Sequence, residues 1–219
     1  MRLYLDSFDL SSWDRLLPSG LFYGITTNPI LAARAGLHYG QINWHEVIGK
    51  AAGYHMRELH IQLPDCSDAA LDFAHDLSVA GADTDMDIVM KIPLTKAGIA
   101  LVQDVRAMGL PVLMTACYHA KQIFVAQAVG AAYIAPYYGR MLEAGIDARA
   151  HLRQMQAIAG SADTPCQLLI ASVRSAEQMT ELAEDGHSLF TIAPQIADSL
   201  FYDQHTEAAY SEFLDAAKA

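Results

Sequence analysis

Positive charge is scarce in this chain. Fourteen Lys and Arg stand against 25 Asp and Glu, a formal net charge of −11 over 219 residues. A nucleic-acid partner requires a basic face to neutralise phosphates, and this balance argues against one. No run of like charge forms a tail. Long apolar runs are missing too: no segment approaches the ~18 uninterrupted apolar residues of a membrane span. Met1–Asp9 carries Asp6 and Asp9 and lacks an apolar core, so no secretory signal is read there. Cysteine is rare. Cys66, Cys117 and Cys166 are odd in number, far apart and free of any CxxC, and they read as reduced thiols of a cytoplasmic protein. The histidines form neither HxH nor HExxH, so no metal site is expected. They read as surface or core-edge residues, including the near neighbours His55 and His60. Nucleotide-binding signatures are lacking as well: no GxGxxG follows the first apolar run, and GxxxxGK[ST] does not occur.

What is present is apolar residue and repetition. Hydrophobic residues make up 53% and charged residues 18%, which excludes disorder and allows a large core. Short apolar runs, each followed by a longer helical stretch, recur along the chain. The runs are Arg2–Asp6, Tyr23–Thr27, Glu58–Leu63, Asp87–Pro93, Pro111–Thr115, Ala132–Tyr137, Gln167–Ser172 and Ser188–Ala193. Most lack clean alternation, as parallel strands covered on both faces do. Helical periodicity falls over Asp68–Val79, Ala97–Met108 and His119–Val129, with Gly81, Gly109, Gly130 and Gly186 as expected C-terminal stops and Ser67-Asp68 and Ser175 as expected caps.

Eight strand–helix units admit a (β/α)8 TIM barrel or a doubly wound sheet. The count, the missing phosphate-loop glycines, and a polar residue at the C-terminal end of nearly every run favour the barrel. Residues 1–219 read as one such domain. An extra helix at about 205–217 is expected to pack outside the barrel or on a neighbouring subunit.

Lys91 is out of place. It lies inside the apolar run Asp-Ile-Val-Met-Lys-Ile-Pro, where an ammonium is costly unless paired or neutral. A desolvated, neutral lysine is a Schiff-base nucleophile; a structural ion pair or a snorkelling side chain is the equally weighted alternative. The other strand ends offer Asp6, Thr26 with Asn28, Gln62, Thr115, Tyr137 and Ser172. In a closed barrel these converge on one mouth. The set is rich in hydroxyl and amide groups and suits a polyhydroxylated substrate around an amine, not the acid pair of a glycosidase. Arg140 after the sixth run, and Ser172 with Arg174 after the seventh, occupy the loops where barrels often bind phosphate.

Taken in order, LYLD (Leu3–Asp6), GITTNP (Gly24–Pro29), the Gln62 of IQL, VMKIP around Lys91, LMTACY (Leu113–Tyr118), IAPY with Arg140, and IASVR (Ile170–Arg174) resemble the transaldolase-like class I aldolases, nearest to the fructose-6-phosphate aldolase branch. The resemblance implies a (β/α)8 barrel without metal or cofactor and an imine on Lys91. It further implies hydroxyl recognition by Asp6, donor orientation by Thr26, Asn28 and Ser172, and proton movement through Gln62, Thr115 and Tyr137. Arg140 and Arg174 would bind a terminal oxyanion. Gln62 and Tyr137 are the residue types of the aldolase branch; transaldolases tend to carry Glu and Phe there. The expected activity is therefore reversible cleavage of a fructose 6-phosphate-like ketose to dihydroxyacetone and an aldehyde. Transaldolase transfer is the alternative, and a non-catalytic sugar-phosphate-binding barrel a distant one. The loop Tyr138–Glu143 and the pair Val173-Arg174 depart from the branch's pattern, which leaves the acceptor's tail open among phosphate, sulfonate and none. The family also implies a homo-oligomer, a decamer of pentameric rings, with the last helix reaching a neighbour.

Overall fold

A computed structural model describes residues 1–160 and 166–218. Its eight strands are β1 (Arg2–Asp6), β2 (Gly24–Thr26), β3 (Glu58–Gln62), β4 (Asp87–Pro93), β5 (Val112–Cys117), β6 (Tyr133–Pro136), β7 (Gln167–Leu168) and β8 (Leu189–Ile192). All pair in parallel, in the order β7-β6-β5-β4-β3-β2-β1-β8. The two ends of this order meet at one bridge between Ile170 and Phe190. There Ile170 N–H donates to the Leu189 carbonyl and Thr191 N–H to the Ile170 carbonyl, each at 2.9 Å. The result is the barrel the sequence predicts, with a narrow seam.

The period-two geometry of a strand sorts side chains to two cores. One face of each strand turns out to the helices and joins the larger core, which includes Leu5, Ile25, Leu59, Ile61, Met90, Ile92, Met114, Ile134 and Ile192. The other face fills the barrel itself with Tyr4, Val89, Leu113, Tyr133, Ala135, Leu169 and Ala171. Because both faces are buried, the strands read as continuous apolar runs.

Strand bounds agree with the sequence at β1 and β4. Elsewhere they differ: β7 makes only a two-residue ladder, while β5 extends to Cys117 through a register shift after Met114. Helix ends also differ in places. Gly109, Gly130 and Gly186 have positive φ as expected of stops, whereas Gly81 lies within the helix Ala69–Gly81, against Ile88. A Cβ on Gly81 would sit 2.7 Å from the Ile88 side chain, so closeness explains that glycine. Ser175 caps its helix through the Gln178 amide, but Asp68 makes no capping bond and Ser67 turns to Asp65 instead. The last helix runs Gln204–Lys218 and buries none of its residues.

Candidate active site

The strand register brings the polar ends to one level. Asp6 pairs with Thr26 across β1 and β2, Gln62 with Lys91 across β3 and β4, and Pro93 with Thr115 across β4 and β5. They open into a cavity of about 330 Å³ at the C-terminal end of the barrel. All ten side chains singled out from the sequence line it.

Lys91 projects into this cavity from β4 and is only 5% exposed. Its Nζ donates to the Thr27 carbonyl at 2.7 Å, and among the described residues no carboxylate ion-pairs with it. Burial lowers the Lys91 pKa from its ordinary value, with the Asp6 charge opposing. The amine is held at a fixed point by a neutral acceptor, and burial favours its uncharged form.

Around it the hydroxyls form short relays. Thr26 Oγ1 donates to Asp6 at 2.7 Å and lies against Thr191 Oγ1. Across the mouth, Thr115 Oγ1 and the Tyr137 hydroxyl are 2.9 Å apart. Burial raises the Tyr137 pKa, which keeps its proton in place. Asn28 is a helix cap: its Oδ1 accepts from Leu31 N–H at 3.0 Å at the start of the helix Pro29–Arg34. The carboxamide oxygen is thereby used, and the NH₂ group is left for the cavity. Gln62 is positioned by its backbone, whose carbonyl accepts from Tyr39 at 2.6 Å.

The far wall carries backbone constraint. Ala116 and Ser172, both lining the cavity, have φ of 59° and 62°. For a non-glycine residue this region costs about 1–2 kcal/mol. The Ser172 Oγ is buried and has no hydrogen-bond partner among the described residues. A strained residue carrying an unsatisfied hydroxyl at a cavity wall is a feature that native structures rarely leave without a role. Ser172 is held there by Gly139, whose N–H donates to the Ser172 carbonyl at 3.0 Å. A Cβ on Gly139 would lie 2.2 Å from that oxygen. Arg140 lies with its guanidinium 5.1 Å from the Tyr137 ring centre, and Arg174 bonds to Glu143 at 3.0 Å. Both arginines are exposed at the rim, so Arg174 combines a surface ion pair with access to the cavity.

Beneath the cavity lies a polar floor that the sequence reading missed. Glu58 accepts from His60 Nε2 at 2.7 Å, from Tyr133 at 2.7 Å and from Tyr4 at 3.0 Å. Burial alone raises the Glu58 pKa; the bonds from His60, Tyr133 and Tyr4 outweigh it and hold the carboxyl below its ordinary value. His60 is fully buried and its pKa is lowered by desolvation, so its expected place at the surface or core edge is corrected to the barrel interior. His187, 2% exposed, is also buried and not at the surface or core edge. The signal was available: Glu58, His60 and Gln62 alternate with Leu59, Ile61 and Leu63, placing three polar residues on the inner face of β3. Thr191, inside the apolar run of β8, and Thr27, within the TTNP segment, were also passed over. Arg34 lines the cavity as well; its position at the end of a short helix gave no cue. Among the described residues no group of three His, Cys, Asp or Glu is placed to hold a metal ion.

An eight-stranded α/β barrel with a buried lysine amid hydroxyls at its C-terminal mouth carries its candidate site on the face where barrel enzymes hold theirs. Solved barrels of similar shape are unrelated in sequence. Inosine 5'-monophosphate dehydrogenase from Legionella pneumophila superposes with a TM-score of 0.62 at 13% identity, covering 90% of this chain and 59% of that one. A mandelate oxidase gives 0.61 at 16%, covering 89% and 65%. This chain spans about three-fifths of the length of those proteins, and the likeness is one of fold alone.

The family is narrower. The model described as transaldolase/fructose-6-phosphate aldolase matches residues 3–219, and the chain belongs to that family. Similar relatives include a probable transaldolase of Phenylobacterium zucineum, 30% identical over 217 residues, 98% of this chain and 95% of the relative. A probable fructose-6-phosphate aldolase of Streptococcus pneumoniae is 28% identical over 225 residues, with the same coverage of 98% and 95%.

Proposed function

We propose that this protein is a Schiff-base aldolase that reversibly cleaves a ketose phosphate such as fructose 6-phosphate to dihydroxyacetone and glyceraldehyde 3-phosphate. The observation that carries this reading is Lys91: buried, unpaired with any described carboxylate, and held at the centre of a hydroxyl-lined cavity. In the proposed sequence the neutral amine adds to the C2 carbonyl, and loss of water gives an iminium. Asp6 takes the proton of the C4 hydroxyl, the C3–C4 bond breaks, and its electron pair passes into the enamine as the aldehyde leaves. A proton delivered to C3 through Tyr137, Thr115 and Gln62 quenches the enamine, and hydrolysis frees dihydroxyacetone and Lys91. Asn28, Thr26 and Ser172 orient the three-carbon unit. Arg140 and Arg174 take the tail anion.

The choice between aldolase and transaldolase rests on Tyr137. A buried phenol that keeps its proton and contacts Thr115 is suited to quenching the enamine. The names of several relatives favour the second reading, in which the enamine waits for an acceptor aldehyde and a transaldolase results. The proposed setting is cytoplasmic and the proposed assembly a homo-oligomer, supported by the uncovered Tyr210, Phe213 and Leu214 of the last helix.

A paired assay on the native chain and Lys91→Met tests the reading. Fructose 6-phosphate is supplied with and without erythrose 4-phosphate. Dihydroxyacetone released without acceptor, and absent in the variant, supports the aldolase. Sedoheptulose 7-phosphate formed only with acceptor replaces it by the transaldolase. If borohydride with ketose leaves the protein mass unchanged, the imine is refuted and a binding barrel takes its place.

A further inference from the structure

We infer that Arg34 is a second anion contact, on the rim opposite Arg140 and Arg174, and that the cavity accepts ketoses phosphorylated at both ends. This rests on the Lys91 imine proposed above and names a further substrate class for the same site.

The first observation is charge. The chain carries a net −11, yet the charged residues lining the cavity are Arg34, Lys91, Arg140 and Arg174 against Asp6 alone. One anionic tail needs one cationic patch, and Arg140 with Arg174 supplies it on the loops after β6 and β7. Arg34 is surplus to that patch.

The second is placement. Arg34 follows β2, and four steps around the strand order separate β2 from β6. In a closed eight-stranded barrel four steps is the opposite side. The cations therefore stand on facing rims with Lys91, on β4, midway between them. Within the helix Pro29–Arg34, Ile30, Leu31 and Arg34 line the cavity while Ala32 packs into the core. Spacing of three and four residues puts these on one helical face. The mouth is thus the side to which Arg34 belongs.

The third is availability. Arg174 is engaged with Glu143, and Arg140 lies over Tyr137. Arg34 forms no ion pair among the described residues. Asn28, which precedes the same helix and lines the same cavity, has its NH₂ left for a donor oxygen because its Oδ1 caps the helix. A ketose bound through C2 to Lys91, with its distal phosphate on the β6–β7 side, directs C1 toward Asn28. A phosphate ester on C1 extends that end toward Arg34, whose guanidinium can bind it bidentately. The chemistry is unchanged: the C3–C4 bond breaks, its electron pair enters the enamine, the C4 hydroxyl proton is lost and C3 gains one. The products of fructose 1,6-bisphosphate are dihydroxyacetone phosphate and glyceraldehyde 3-phosphate.

The test compares the native chain with Arg34→Ala and Arg34→Lys on fructose 6-phosphate and fructose 1,6-bisphosphate. Each is assayed for kcat and KM and for a borohydride-trapped adduct by mass. The native chain is expected to form an adduct with both sugars. Arg34→Ala should lose about 10-fold more in kcat/KM on the bisphosphate than on the monophosphate, chiefly through KM, the size of one charge-assisted contact. Arg34→Lys should recover part of that loss, and added salt should narrow the difference. An adduct with the monophosphate but none with the bisphosphate overturns this inference and leaves the imine standing. Equal losses on both sugars also overturn it. No adduct with either sugar overturns the imine and this inference together.

Discussion

At the residue scale, the cost of burying Lys91 is the property on which the proposed imine rests. Desolvation lowers its pKa in the folded chain, while the unfolded chain keeps the ordinary value near 10.5. Between those two values the unfolded state binds the extra proton, so this group makes stability rise with pH across that window. Lys91→Met removes the penalty. The variant is expected to unfold at a higher temperature than the native chain. Its advantage is complete below the lowered pKa and vanishes as pH rises past the ordinary one. In a chain of this size each ~1 kcal/mol moves the midpoint by roughly 2–4 °C. Thermal scans across pH check the sign, and equal midpoints at neutral pH would mean that Lys91 is solvated. Imine formation should follow the same group in the native chain, falling as pH drops through the lowered pKa. Lys91 was legible because a cation interrupts an apolar run. For Glu58 and His60 the alternation along β3 marks an inward face, but a carboxylate satisfied by three donors shows itself only after Tyr4 and Tyr133 are placed beside it.

At the element scale, what mattered was where two loops touch. The turns after β6 and β7 meet at Gly139, where the backbone of one hydrogen-bonds the other and leaves no room for a Cβ. Gly139→Ala is expected to destabilise by about 1–3 kcal/mol, the usual range for overpacking. It should also weaken tail binding, because Ser172 and Arg174 must shift with the displaced carbonyl. Denaturant unfolding, together with KM for the ketose phosphate, reads both effects; loss of stability without a change in KM would separate the loop contact from the site. The strands themselves were legible from their apolar runs, with β1 and β4 correct to the residue. The two-residue β7 was not, because its run to Ser172 looks like any strand, and the departure at Ser172 is a backbone angle that no side chain announces. Asp68 makes no cap for a local reason: its backbone is already helical (φ −60°, ψ −32°), not extended as a capping residue's is, and Ser67 bonds Asp65.

At the scale of the whole molecule, the barrel and its mouth were legible from eight repeats and seven polar strand ends. The eighth end, Thr191, went unread because it is a single hydroxyl in an apolar run. Among the described residues, the last helix is buried nowhere along its length. Tyr210 and Phe213 are 57% and 69% exposed, and Leu214 is also uncovered, an apolar stripe at helical spacing. Removing residues 204–219 is expected to lower the association state while leaving the barrel folded. Sedimentation of both chains, with circular dichroism of the shorter one, measures this; an unchanged sedimentation coefficient per protomer would assign the helix no part in assembly.

The closure at Ile170 and Phe190 has a mechanical meaning. Seven boundaries of the barrel are zipped by ladders and the eighth by one stitch. Hoop tension, wherever it arises, is released first at the weakest joint. Here that joint borders the strand leading into Ser172 and Arg174, and it lies far around the ring from Lys91. The wall that carries Ser172 and Arg174 is therefore the one free to breathe while β4 and Lys91 stay still, so that under the proposed reading sugars would exchange without loosening the reactive centre.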